Sequence, residues 1–221
     1  MTPKEPGKAT RSSIVQAAIV CIQREGIEGV TSRSIAKEAA VNLAALNYHF
    51  GSKERVIELA LAFALQSAFD DSLTDYDRFV RRHETIREAM IALLDETLES
   101  ATRFPNVGFA LVHQTVAKQV YETPFVERLN AFIDGLFTRV RPALRGTNDA
   151  QRRASLVQLW SNVILIGIMP RVFDRTFGAS LSDPDTRLVF VRSMVDCHFV
   201  AAKASVPRPK AGRPKRSRQA R

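Results

Sequence analysis

The chain has 221 residues, 45% of them hydrophobic and 25% charged, with 10 Gly and 10 Pro. That is one large domain or two small ones of ordinary globular composition, which excludes a disordered, collagen-like or low-complexity chain. The net charge of +9 is uneven: residues 207–221 hold seven basic residues and no acid, residues 1–55 eight basic and five acidic, and the remainder is close to neutral. Attraction to a polyanion therefore belongs to the two ends.

Two cysteines, Cys21 and Cys197, cannot build a disulfide framework and suit a reducing compartment. No apolar run exceeds seven residues, as from Val163 to Met169, which falls far short of the ~18 residues of a membrane span. The N-terminus MTPKEPGKATRSS lacks the apolar core of a signal peptide. A soluble, cytoplasmic protein without membrane contact is expected.

Residues 1–9, with two Pro and one Gly, read as a flexible arm. From Arg11 the pattern is helical: Ile14, Ala18, Cys21 and Ile22 make one apolar stripe, which Gly26 ends. Thr31 can cap a short second helix whose inward face is Ile35, Ala36 and Ala39. Ala40-Val41-Asn42 is long enough only for a turn. A third short helix spans about Leu43 to Tyr48, with Leu46 and Phe50 turned inward, and Gly51 breaks it. Ser52 caps a fourth helix that extends to about Asp70. Two short helices joined by a tight turn and braced on both sides form a helix-turn-helix arrangement. Further helices are predicted at about 83–102, 106–120, 123–144, 149–170 and 184–204, the last with Asp183 as cap and Pro184 at its first position. No segment alternates with period two for long enough to demand a sheet. The fold is predicted to be all-α, divided into an arm (1–9), a helix-turn-helix domain (10–55), a helical domain (56–206) and a basic tail (207–221).

The stretch from Gly29 to Glu54, GVTSRSIAKEAAVNLAALNYHFGSKE, resembles the DNA-binding domain of TetR/AcrR-family transcriptional regulators. The resemblance spans about residues 10–60. It rests on the Thr31/Arg33 helix start, Ile35-Ala36, the turn ending in Val41, and Asn47-Tyr48-His49-Phe50 followed by Ser52-Lys53-Glu54. One departure is Ala40, where the family usually has Gly. The resemblance implies a ligand-responsive repressor that binds a palindromic DNA operator as a homodimer, with a helical ligand-binding and dimerisation domain behind the DNA-binding one.

The chemistry of the third helix agrees with this. A helix fits the major groove, about 12 Å wide. Asn42, Ala44, Ala45 and Asn47 are small or polar, so the backbone can approach base edges. Leu43 and Ala44 suit a thymine methyl, Asn47 an adenine edge, and Arg33 guanine O6 and N7. The resemblance assigns phosphate contacts, which fix register, to Thr31, Ser32, Tyr48, His49 and Lys53. In the tail, Gly212-Arg213-Pro214-Lys215 resembles the core of an AT-hook, with Ala211 where the hook usually has Arg. Arg213, Lys215 and Arg216 then lie in an A·T-rich minor groove, or the tail is a plain polycation that adds affinity through counterion release.

By the same resemblance the middle of the chain holds a small-molecule effector. The candidates are polar or aromatic side chains within apolar helices: Phe104, Phe109, His113, Gln114, Tyr121, Phe132, Trp160 and Asn162. For each, ordinary core packing is the competing reading. The dimer is expected on the helices at 149–170 and 184–204, through Leu156, Leu159, Trp160, Val163, Ile164 and Gly167, and through Val189, Phe190, Met194, Cys197 and His198. The helix after about Leu73 is expected to link effector to DNA. There is no Gly-rich phosphate loop, HExxH or Cys/His cluster, so neither an enzyme nor a metal or cofactor is expected. The alternative is an architectural DNA-binding protein that uses its basic tail.

Overall fold

The computed structural model describes residues 6–83 and 85–200, with side chains for all of these except residues 6–10, 70, 114 and 118. The tail residues Arg213, Lys215 and Arg216 lie outside the described residues. The order is α1 (Pro6–Gly29), α2 (Ser32–Glu38), α3 (Leu43–Phe50), α4 (Lys53–Arg82), α5 (Ile86–Arg103), α6 (Pro105–Lys118), α7 (Pro124–Val140), a 3-10 turn (Arg141–Ala143), α8 (Asp149–Ile168), α9 (Asp174–Phe177) and α10 (Pro184–His198). The fold is all-α. Residues 6–9, expected within the arm, are helical.

Two apolar cores organise the chain. The first joins Ile14, Ala18, Cys21 and Ile22 of α1 to Ile35, Leu46, Phe50, Val56 and Ala60. The predicted stripe of α1 is fully buried, and Gly26, at φ 73°, ends its regular part as expected. The core does not stop at 55: it takes in the start of α4 and two residues from far along the chain, Val107 and Ala110 of α6. Hydrogen bonds reinforce that joint. Asn106 donates to the Gln23 carbonyl at 2.8 Å, and the Gln23 amide donates to the Arg103 carbonyl at 3.3 Å. Thus α6, as well as α4, ties the helix-turn-helix to the body.

The second core is built from α4, α5, α7, α8 and α10. It explains why α4 runs to Arg82 instead of stopping near Asp70. Leu65, Phe69, Tyr76 and Phe79 continue one buried stripe at helical spacing, and no Gly or Pro interrupts it. No separate helix therefore begins after Leu73; that residue lies within α4.

Much of the apolar set expected at a dimer interface lies in this core. Leu156, Leu159, Trp160, Val163, Gly167 and Met194 are buried within the subunit, while Ile164, Phe190 and His198 are half-buried. Burial also lowers the proton affinity of the His198 imidazole. The apolar residues left outside are Val157 on α8, Val189 on α10, and Met169, Val172, Phe173 and Phe177 beyond α8; Cys197 is exposed as well. The Phe177 and Phe190 rings meet at 6.2 Å, which holds the α9 segment against α10.

α10 starts where the sequence placed it, with Asp183 accepting the Thr186 amide at 2.9 Å. It ends at His198, not near 204. Phe199 turns extended, and the chain pairs back through Arg145 N–H to the His198 carbonyl and Val200 N–H to the Ala143 carbonyl, both at 2.8 Å. One buried ion pair fastens α10 to α5. Arg187, 5% exposed, donates from Nε to Asp95 at 2.8 Å and lies 3.6 Å from Glu99. Arg187→Ala is expected to cost about 1–3 kcal/mol, because its partners are partly hydrated and recover water when it goes. Arg192→Ala, at the exposed 3.9 Å pair with Glu88, should stay within about 0.5 kcal/mol. Urea midpoints at unchanged m-value test the contrast.

Candidate nucleic-acid interface

α2 begins with a reciprocal cap. Thr31 Oγ1 accepts the Ser34 amide at 3.0 Å, and Ser34 Oγ accepts the Thr31 amide at 3.0 Å. α2 ends in a Schellman turn: Ala40 N–H donates to the Lys37 carbonyl at 3.2 Å and Val41 N–H to the Ala36 carbonyl at 3.0 Å. That closure places Ala40 at φ 53°, in the left-handed region where a Cβ is strained. Ala40→Gly is expected to raise stability by about 1 kcal/mol and to leave the DNA face unchanged. A thermal melt checks this; a lower midpoint contradicts it.

α3 starts on Asn42, whose Oδ1 accepts the Ala45 amide at 2.7 Å. Asn42 is thus a helix cap, with its carbonyl oxygen engaged. Within α3, Leu46 and Phe50 are buried and Ala45 and His49 half-buried, whereas Leu43, Ala44, Asn47 and Tyr48 are exposed. At 100° per residue these four share one outward arc. Ala45, expected among the groups at the bases, stands at the edge of that arc. Tyr48 is 86% exposed. A bulky aromatic ring so exposed contributes little to the fold and is available to a partner.

The surrounding groups divide in two. Arg33 is exposed, and no hydrogen bond or ion pair occupies it among the described residues. Arg11, which the sequence did not single out, lies over the Phe50 ring at 5.3 Å and so joins the carboxyl end of α3. Other groups hold the fold. The Lys53 ammonium donates to the Val30 carbonyl at 3.1 Å, which ties α4 to the α1–α2 connection and leaves only its other hydrogens for a phosphate. The Thr31 hydroxyl is committed to its cap, and Ser32 is half-buried. The Tyr48 and His49 rings meet edge-on at 5.3 Å. Arg24 answers both Glu25 and Glu38 at 2.7 Å and holds the Glu25 carboxyl below the usual range. Burial raises the Cys21 thiol, so it stays protonated inside the domain.

The predicted effector residues do not form one site. Phe132 and Trp160 are core, packed edge-to-face at 4.7 Å. Tyr121 is exposed and donates to Gln119; Asn162 is exposed and donates to the Gln158 carbonyl of its own helix. Phe109 is exposed against His113, which stands 3.8 Å from Glu28 of α1 at the joint between the two cores. The Gln114 side chain lies outside the described residues. Of the candidates with described side chains, only Phe104 lines the cleft of about 510 Å³ between α1, α4, α5 and α6. Residues from α4 and α5 line most of it. They escaped the sequence reading because small and acidic side chains carry no local sign of a pocket. Among the described residues no group of three or more His, Cys, Asp or Glu is placed to hold a metal, and no helix is long and apolar enough to cross a membrane.

Residues 14–60, from Ile14 of α1 through α4's entry into the same core, match the family model described as bacterial regulatory proteins, tetR family. Over this segment the chain is similar to the TetR family. A solved TetR-family transcriptional regulator from Mesorhizobium loti MAFF303099 shares the fold. It superposes with a TM-score of 0.62 over 89% of this chain and 100% of that one, at 12% identity. The nucleoid occlusion factor SlmA of Marinobacter nauticus is 28% identical over 167 residues, which cover 72% of this chain and 83% of that protein. The nicotine-responsive transcriptional repressor HdnoR of Paenarthrobacter nicotinovorans is 39% identical over 56 residues, 25% of this chain and 29% of its own length. Regulators of the TetR family bind DNA.

Proposed function

We propose that this chain is a TetR-family repressor that reads a palindromic operator as a homodimer and responds to a small molecule. The observation that carries the reading is the outer arc of α3. Leu43, Ala44, Asn47 and Tyr48 face away from the core, and Arg33, near the start of α2, is unpaired among the described residues. Asn47 and Arg33 read base edges, while Leu43 and Ala44 meet a thymine methyl. Tyr48, His49, Ser32, Thr31, Arg11 and the remaining hydrogens of Lys53 position the backbone. One such helix covers one half-site, so two subunits related by a two-fold axis read a palindrome.

The exposed apolar residues of α8, α10 and the intervening segment supply the second subunit's contact. Val157, Val189 and Phe177 remain exposed among the described residues. A ligand changes DNA affinity only by preferring one arrangement of the domains. The Gln23–Asn106 clasp and the Val107 insertion from α6 give such a ligand a direct grip on the DNA-binding core.

A footprint of the full chain on its own promoter tests the reading. One protected palindrome, with two subunits per site by sedimentation, supports it. A second reading is an architectural protein that coats DNA broadly. It draws on the basic tail and on relatives named for the nucleoid. Extended protection without a preferred site favours it instead.

A further inference from the structure

The cleft between α1, α4, α5 and α6 has a distinct chemistry. Its floor is apolar, formed by Leu93, Phe104 and Leu111, with Ile19 of α1 in its wall. Among the described residues Asp71, Asp75 and Glu96 are its only ionisable lining groups, and all three are acidic. Two arginines stand nearby. Arg78 reaches Asp75 at 3.0 Å and Glu96 at 3.5 Å, so one cation serves two carboxylates. Arg103 lies over the Phe104 ring at 5.5 Å. Asp71 accepts only the Ser67 hydroxyl, at 2.9 Å, and has no cationic partner among the described residues. The rim is therefore short of positive charge where the floor offers apolar and aromatic surface. About 510 Å³ lies within the roughly 300–1,000 Å³ of small-molecule sites.

The geometry points to an amphipathic organic cation as the occupant of this cleft, its charge at Asp71 and Glu96 and its apolar body on Leu93, Phe104 and Leu111. The inference rests on the ligand-responsive reading above and assigns the effector's chemical class. An anion of the same shape meets carboxylates at the rim and is repelled; a neutral molecule leaves Asp71 without a countercharge. The cleft also lies against the joint: Ile19 and Val107 line it, and Val107 belongs to the DNA-binding core. An occupant thus touches both domains at once.

The test uses two ions of matched shape, tetraphenylphosphonium and tetraphenylborate, titrated calorimetrically into the full chain. The cation is expected to bind at least tenfold more tightly than the anion. Asp71→Asn with Glu96→Gln, which leaves Asp75 to pair with Arg78, is expected to lose at least tenfold in cation affinity at an unchanged melting temperature. Phe104→Ala is expected to weaken the cation as well. Equal affinity for the two ions, no binding of either, or a double variant that keeps the cation overturns the proposal. Promoter occupancy with and without the cation is measured separately. If the cation binds selectively and DNA occupancy does not change, the cation site stands and the ligand-responsive reading fails.

Discussion

Asn47→Ala and Arg33→Ala should each lower affinity for the operator by roughly ten- to a hundredfold and relax base choice at one position of each half-site. Both side chains are exposed and carry no partner among the described residues, so neither substitution touches the fold. A bidentate contact to adenine or guanine is worth about 1–3 kcal/mol of discrimination, and each 1.4 kcal/mol is about tenfold. Tyr48→Ala should behave differently. It removes a positioning group and should weaken all sequences alike, again with an unchanged melting temperature, because the ring is 86% exposed. Leu46→Ala is the opposing control. It empties a fully buried site and should cost about 2–5 kcal/mol of domain stability. Titrations against operators substituted one base pair at a time separate these cases. Unchanged base preference in both Asn47→Ala and Arg33→Ala would falsify the assignment of the outer arc to base reading.

Deleting residues 207–221 should flatten the salt dependence of DNA binding while preserving operator choice. The segment carries seven cations and no acid. Each phosphate neutralised on duplex DNA contributes about −0.9 to the slope of log K against log salt. Full engagement of one tail therefore contributes up to about −6 to that slope. With 6–10 contacts, affinity changes about 10³- to 10⁵-fold between 50 and 200 mM salt. The truncated protein should thus bind much more weakly at low salt and little differently at high salt. A slope that survives the deletion shows that the tail does not touch DNA. An A·T-rich flank that gains affinity only with the intact tail, and loses it with Arg213→Ala, marks minor-groove reading by the AT-hook-like core; equal gains on all flanks mark a plain polycation.

The helical fold and the recognition unit were legible in the linear chain because their signals are local. The Ile14, Ala18, Cys21 and Ile22 stripe, the Thr31, Ser52 and Asp183 caps, and the stops at Gly26 and Gly51 all act within a turn or two of helix. Asn42 carried such a signal too. An Asn just before a helical stretch is a cap by its own chemistry, a local rule that its placement among the groups on the DNA face left unused.

Contacts between distant residues followed no local pattern. Lys53 meets the Val30 carbonyl, Arg187 meets Asp95 92 residues away, and Val107 with Ala110 enters a core otherwise made from residues 14–60. A side chain's helical period says that it is apolar, not which of two neighbours will bury it. For that reason Trp160 and Leu156 proved to be interior, and the uncovered surface falls instead on Val157, Val189 and the loop between α8 and α10. The cleft has the same origin. Its walls come from four helices, and its acidic rim exists only once α4 and α5 lie side by side. Local backbone preference is written in neighbouring residues. The choice of which faces meet depends on the packing energy of the whole chain, which no short window contains.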